Sequence, residues 1–421
     1  MLSDKMIERL KNSKYANVND TDIHIIKKGL IRSLMSTQIV LPRILQIGAY
    51  ASTKIVEVIN SLGCYRPIIL TDKTMVELGY VQTLLEQFTD PKELPDVFDN
   101  TIPEPTVASI MWAVEKVKSK PYDCIIALGG GSPIDSAKAV AVLVTLGGEM
   151  KDYKFPHIQS QPGLPVIAIP TTSGTGSEVT KFTIITDQDT DEKMLCVGPG
   201  FMPAAALIDY RLTLSLPPRT TADTGIDALT HAIEAYVSKK ANLYSDSQAL
   251  AAMKLLAPNL REAYRNGRNE VSREAMMLGA TLAGLAFSNA SVALVHGMSR
   301  PIGAFFHVPH GLSNAMLLPS VTAFSIGAAS SRYATCARTM GVAKSTHSDE
   351  QACELLIKEL HQLNADLNVP TPEVFGIQKK AFFDVCETMA TQALASGSPG
   401  NNPIVPSIEE MVSIYHGLWD T

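Results

Sequence analysis

Three groups of residues have types and spacings that suit chemistry. The first lies in the second half of the chain, where Gly225-Ile226-Asp227-Ala228-Leu229-Thr230-His231 opens an Ala-rich stretch of helical pattern. Asp227 and His231 are four residues apart, so a helix sets both on one face, one turn apart. Glu234 follows three residues later and stands where it can orient an imidazole from behind. Two His-Gly pairs, His296-Gly297 and His310-Gly311, come next in apolar surroundings. Imidazole nitrogens with one carboxylate oxygen suit Fe²⁺ or Zn²⁺ and are a poor donor set for Mg²⁺ or Ca²⁺. The competing explanation is a set of core histidines bonded to backbone carbonyls. His24, His157, His347, His361 and His416 have no comparable context.

The second and third groups are polar turns. Leu128-Gly129-Gly130-Gly131-Ser132-Pro133-Ile134-Asp135 joins an apolar run to a helical stretch. Bare glycine backbone lets N–H groups approach a phosphate, and the helix N-terminus adds partial positive charge. Ser132 is expected to cap the helix, Pro133 to take its first position, and Asp135 to act as a capping-box acid. The turn is not a G-x-G-x-x-G fingerprint, and a structural tight turn would also explain its glycines. Pro170-Thr171-Thr172-Ser173-Gly174-Thr175-Gly176-Ser177-Glu178 follows another apolar run. Two such turns on one edge of an α/β sheet can clamp a dinucleotide; the alternative is a solvated Ser/Thr loop. Asp72 ends the first clear strand. A carboxylate there holds a ribose 2′-hydroxyl and repels a 2′-phosphate, favouring NAD over NADP, unless it simply caps the next helix.

The elements that must position these groups differ between the two halves. From about Leu41 to Leu216, apolar runs alternate with helical stretches such as Val107–Lys118 and Ser136–Leu146. The runs are Pro67–Thr71, Cys124–Leu128, Pro165–Ile169 and Ala204–Ile208. Continuous apolarity suits strands buried on both faces of a parallel sheet, hence a doubly wound α/β domain. Phe182–Thr186 and Met194–Val197 read as a β-hairpin around a polar turn. After Pro217-Pro218 the chain becomes Ala- and Leu-rich with helical periodicity, predicting an all-helical domain. The expected division is a helical N-terminal extension over 1–36, an α/β domain over 37–216 and a helical domain over 217–421.

Composition narrows the function. The chain has 421 residues, 46% hydrophobic and 19% charged, with a formal net charge of −6. That is globular composition, and the acidic balance with only 6% aromatics argues against a nucleic-acid partner. The six cysteines are scattered without a C-x-x-C pair, which reads as reduced thiols in the cytoplasm. Neither a membrane span nor a secretory leader is expected.

Together these segments resemble the iron-containing (group III) alcohol dehydrogenases, from about Val40 to the C-terminus. The resemblance rests on Gly129–Asp135, Pro170–Thr180, Gly225–Tyr236 and His296–Asn314. It implies an N-terminal Rossmann-like, doubly wound parallel-sheet domain and a C-terminal all-helical domain, with a metal in the interdomain cleft. It implies metal ligands at Asp227, His231, His296 and His310. Its dinucleotide contacts correspond to Asp72, Gly130, Gly131, Ser132, Thr171, Thr172 and Thr175. Asp135 is counted with them, and Lys193 matches a residue near the nicotinamide ribose. Many members read His-Gly-Met-Ala-His and use the second histidine to relay the alcohol proton. Arg300 stands there in this chain, and His307 replaces a usual Asp or Asn. Glu104 replaces a usual Asn.

The implied activity is hydride transfer between a small alcohol or diol and NAD, with the alcohol oxygen bound to Fe²⁺ or Zn²⁺. Arg300 stays charged and cannot act as a base, so His307 or a water chain is expected to carry the proton. Arg300 is left to act on an anionic substrate group or a neighbour's pKa. A homodimer or higher homo-oligomer is the family default. The rivals are a metal- and NAD-using lyase like dehydroquinate synthase, a polyol dehydrogenase like glycerol dehydrogenase, and a non-catalytic NAD-sensing protein.

Overall fold

The apolar runs bounded by Gly, Pro or Asp form strands, as β-branched residues packed on both faces favour. In the computed structural model, which describes residues 36–91, 93–190 and 192–419, eight strands follow one another. They are β1 (Ile44–Ile47), β2 (Pro67–Leu70), β3 (Asp96–Phe98), β4 (Cys124–Gly129), β5 (Val166–Pro170), β6 (Phe182–Asp187), β7 (Glu192–Val197) and β8 (Ala205–Ile208). Six make one sheet in the order β1-β8-β5-β4-β2-β3, with every pairing parallel. β6 and β7 form the expected antiparallel hairpin, with Phe182 opposite Val197. The helices expected over 1–36 lie outside the described residues.

Every residue of β2, β4, β5 and β8 is buried. Five helices accompany the sheet: α1 (Ile55–Ser61), α2 (Lys73–Glu77), α3 (Tyr80–Leu85), α4 (Val107–Lys118) and α5 (Gly131–Leu146). The period-two alternation of the strands divides them between two cores. Ile68, Leu70, Ile125 and Ala127 pack with Ile110 and Val114 of α4 and Ile134 and Val140 of α5. Ile69, Ile126 and Leu128 pack on the other face with Ile55 and Ile59 of α1 and Val81 and Leu84 of α3. β1 and β3 were not foreseen. They are short edge strands, and β1 is only partly buried, so neither has the dense apolar signature of the centre.

From Pro218 the described chain is helical: α6 (Pro218–Val237), α7 (Leu243–Arg265), α8 (Glu270–Ala290), α9 (Leu294–Phe306), α10 (His310–Ile326), α11 (Ser330–Thr339), α12 (Asp349–Asp366), α13 (Pro372–Phe375), α14 (Lys379–Ala395) and α15 (Ile408–Gly417). Pro218 takes the first position of α6, where its missing N–H costs nothing. Among the described residues no single helix is long and apolar enough to cross a membrane.

Glycines let the two halves meet. A Cβ on Gly174 would lie 2.5 Å from the Thr224 Cβ of α6, and one on Gly176 would lie 2.6 Å from the Gly284 Cα of α8. The Ser/Thr-rich turn after β5 therefore sits directly against two helices that frame the histidine-bearing segments.

Candidate active site

The glycine-rich turn follows β4 and enters α5. Gly129 has φ 144° and a Cβ there would fall 2.7 Å from Pro133 Cγ, so only glycine fits. The helix begins at Gly131 with Gly130 as its N-cap, and no side chain caps it. Ser132 and Asp135 are thus not the expected capping pair. Ser132 Oγ accepts from the Glu104 N–H at 3.3 Å. The Asp135 carboxylate accepts from Ser177 Oγ and, at 3.0 Å, from the Ile184 N–H. It ties the helix to the neighbouring turn and hairpin, leaving the first-turn amides of α5 without a side-chain cap. Burial pushes the Asp135 carboxyl above its ordinary pKa, against Lys138, Ser177 and the Ile184 amide.

The second turn lies alongside. The Thr171 N–H donates to the Gly129 carbonyl at 2.9 Å. A Cβ on Gly130 would fall 3.3 Å from Thr172 Cγ2, and one on Gly131 2.9 Å from Thr175 Cγ2. Asp72 follows β2 beside Gly129, where an added Cβ would lie 3.5 Å from its Oδ2, and it caps α2, its Oδ1 accepting from the Met75 N–H at 3.1 Å. The structure brings Asp72, Gly130, Gly131, Ser132, Thr171, Thr172 and Thr175 to one carboxyl edge of the sheet. Lys193, at the edge of the hairpin, pairs with Glu104 at 2.7 Å.

The histidines converge from three helices. Asp227 and His231 share a face of α6, His296 lies on α9, and His310 opens α10. The Nε2 atoms of His231, His296 and His310 lie 3.8, 3.4 and 3.7 Å from Asp227 Oδ1. The His-Gly pairs now have a physical reason. A Cβ on Gly311 would lie 2.3 Å from the Asp223 carbonyl oxygen, and one on Gly297 2.7 Å from Pro399 Cγ. Glycine after each histidine lets the helix approach closely enough to present its ring.

Glu234 supports this group. Its carboxylate accepts from the Ala293 and Val295 N–H groups at 2.9 and 2.6 Å and lies 2.7 Å from His296 Nδ1. With the Nδ1 proton committed to Glu234, the His296 Nε2 lone pair faces inward. Burial lowers the His231 pKa to about 4 and also depresses His310. Burial works to lower His296 too, but Asp227 and Glu234 outweigh it. Burial would raise Asp227, yet the surrounding imidazoles hold it below the carboxylate range. Phe287 stacks on His231 with 4.1 Å between ring centroids and covers that side.

Asn314 was not singled out from sequence, although it sits on α10 four residues after His310, the spacing of Asp227 and His231. Its Nδ2 is 2.7 Å from Asp227 Oδ1 and 3.2 Å from Nε2 of both His296 and His310. One amide has two N–H bonds and cannot satisfy three acceptors. Asn314 Oδ1 and His231 Nδ1 are buried without hydrogen-bond partners among the described residues. Three imidazoles and a carboxylate with more inward-facing lone pairs than donors fit a divalent cation. One cavity of about 210 Å³ is lined both by Gly131, Ser132 and Thr175 of the two turns and by Asp227, His231, His296 and His310.

Residues 42–210 match the family described as iron-containing alcohol dehydrogenase, and residues 221–419 match the C-terminal part of the same family. This chain belongs to the iron-containing alcohol dehydrogenase family. It is 33% identical to the lactaldehyde reductase of Escherichia coli strain K12 over 390 residues, 91% of this chain and 100% of that protein. The crystal structure of a 1,3-propanediol oxidoreductase superposes with a TM-score of 0.85 at 31% identity, covering 91% of this chain and all of the other. The sulfoacetaldehyde reductase of Bifidobacterium kashiwanohense, solved in complex with NAD⁺, has a TM-score of 0.82 at 28% identity over 92% of this chain and all of its own.

Of the three positions that depart from the usual pattern of an iron-containing alcohol dehydrogenase, Glu104 and Arg300 line the cavity and His307 does not. Arg300, one turn beyond His296 on α9, lines the cavity. His307 ends α9 in a left-handed conformation with φ 53° and is exposed, outside the cavity lining. The helix terminates at that residue. His307 is therefore not brought to the other candidates, which leaves the water chain as the expected alternative.

Proposed function

We propose that this iron-type enzyme interconverts a small alcohol and its aldehyde with NAD, holding Fe²⁺ or Zn²⁺ through Asp227, His231, His296 and His310. The observation that carries the reading is one cavity lined by both an imidazole–carboxylate cluster and a phosphate-type turn. The names of the relatives support it, since they reduce aldehydes or oxidise diols, and one was solved with NAD⁺. When bound, the metal supplies Lewis acidity that polarises a carbonyl and eases loss of a hydroxyl proton.

The chain's own residues supply orientation. The uncapped amides of α5 and the hydroxyls of Thr172 and Thr175 receive the pyrophosphate. Asp72 takes the ribose hydroxyl, and Lys193 lies toward the nicotinamide end. Glu234 keeps His296 in the tautomer that offers Nε2, while Phe287 keeps water off His231. Held in contact, donor and acceptor carbons gain much of the rate from orientation alone. The proton leaves through water in the cavity, because no described histidine outside the cluster lines it.

Residues 37–216 serve as the dinucleotide half and 217–421 as the metal half. The reading includes a homodimer or larger homo-oligomer, supported by the exposed sheet edge at β1, where Ile47 and Tyr50 are solvent-facing. It places the enzyme in the cytoplasm, supported by six free, buried cysteines. Nucleic acid and membrane are not partners.

The test combines metal analysis of purified protein with NADH absorbance over a panel of short alcohols and aldehydes. Bound iron or zinc with turnover of at least one pair supports the reading. Full metal loading with no turnover by NADH or NADPH rejects it.

A further inference from the structure

Three basic side chains line the catalytic cavity and the larger cavity beside it: Lys154, Lys193 and Arg300. Lys193 pairs with Glu104 at 2.7 Å, and Lys154 pairs with Glu192 at 2.5 Å. Arg300 makes no ion pair among the described residues. Its Nη1 donates to Ser398 Oγ at 2.9 Å, and its Nε is buried without a hydrogen-bond partner among the described residues. A guanidinium carries five N–H donors, so most of its capacity is unspent. Glu234, whose charge acts on Arg300, already accepts from Ala293, Val295 and His296. Asp135 is spent on Ser177 and Ile184, and Asp227 on the imidazole cluster.

Arg300 is only partly exposed, and a largely desolvated cation without an ion-pair partner is costly on general grounds; among the described residues the Ser398 hydroxyl and the charge of Glu234 offset part of that cost. Burial lowers the Arg300 pKa to about 10, which still leaves it charged at neutral pH. Arg300 lines both cavities, so a molecule whose reactive end lies at the cluster extends past it. The planar fork matches a carboxylate with two parallel hydrogen bonds.

We infer that the substrate is an anionic one, an aldehyde or alcohol bearing a carboxylate a few carbons from the reacting carbon, and that Arg300 is the specificity-determining residue that binds it. This rests on the alcohol–aldehyde reading above. The reaction is then reduction of an oxo acid to a hydroxy acid: hydride from NADH adds to the aldehyde carbon, a solvent proton goes to its oxygen, and the carboxylate is unchanged.

The experiment compares 4-oxobutanoate with butanal, and 4-hydroxybutanoate with 1-butanol, on metal-loaded enzyme with NADH or NAD. The expected kcat/KM favours the carboxylate partner of each pair at least tenfold, and Arg300→Met lowers that ratio at least tenfold, chiefly through KM. Arg300→Lys recovers part of it. Calorimetry with butyrate, which cannot react, gives binding to the parent protein that Arg300→Met removes. Equal or better use of the neutral compounds by the parent enzyme overturns the inference while leaving the alcohol–aldehyde reading intact. Absence of turnover for all four compounds, with no butyrate binding, overturns it as well. The parent enzyme's preference decides the matter even if the variant does not fold.

Discussion

Glu234 is the residue on which the geometry of the cluster depends most. It accepts from two backbone amides at the start of α9 and meets the ring of His296. Glu234→Gln keeps the shape but replaces one accepting oxygen with a donor. Metal affinity is expected to fall about 10- to 100-fold, measured by competition with a chromophoric chelator. His307 is the contrasting case. It was legible as an unusual residue beside His310, yet three positions along a helix end separate a cavity wall from solvent. His307→Ala is expected to leave the pH dependence of kcat/KM in place, because no proton path passes through an exposed side chain outside the cavity. A pH profile moved by a unit or more counts against that placement.

At the scale of elements, close packing against backbone decides where the donors sit. Gly311→Ala forces a Cβ against the Asp223 carbonyl, which cannot rotate away. A loss of about 1–3 kcal/mol is expected from overpacking, read as a lowered denaturant midpoint, with weaker metal retention because α10 shifts relative to α6. The first turns of α5 carry a second device. Lys138 is fully buried and donates to Ser177 Oγ, Thr180 Oγ1 and the Phe182 carbonyl at 2.8, 3.2 and 2.8 Å. Burial lowers its pKa to about 8, against the pull of Asp135 and Glu178. Between about pH 8 and the ordinary lysine value the unfolded chain binds the proton and the folded chain does not. Stability contributed by this residue therefore rises with pH across that window. Relative to Lys138→Met, the parent protein should gain up to about 3 kcal/mol between pH 8 and pH 10.5 in denaturant titrations. A flat difference means that Lys138 keeps its proton in the fold.

For the molecule as a whole, three helices contribute donors to one point, so a cation there links α6, α9 and α10. Ligand binding to the folded state alone stabilises by mass action, about 4 kcal/mol at a thousandfold excess over Kd. Chelation should lower Tm by several degrees and restored metal should reverse it, measured by scanning calorimetry. Asp227→Asn should abolish the difference.

Much of this was readable in the amino-acid sequence because it depends on local order. The apolar runs of β2, β4, β5 and β8 announce a doubly buried sheet, and the Asp227–His231 spacing follows from helical pitch. The His-Gly pairs and the glycine-rich turn were visible as patterns whose purpose was open. Tertiary structure alone decided the rest. Whether Asp135 caps a helix or ties a hairpin depends on Ser177 and Ile184, more than forty residues away. That Asn314 enters the cluster, that His307 lies outside it and that Arg300 has no ion pair among the described residues depends on which side chains from distant segments reach the same few ångströms. Short-range periodicity is encoded residue by residue, whereas the meeting of α6, α9 and α10 is set by packing the whole core, and no single segment carries it.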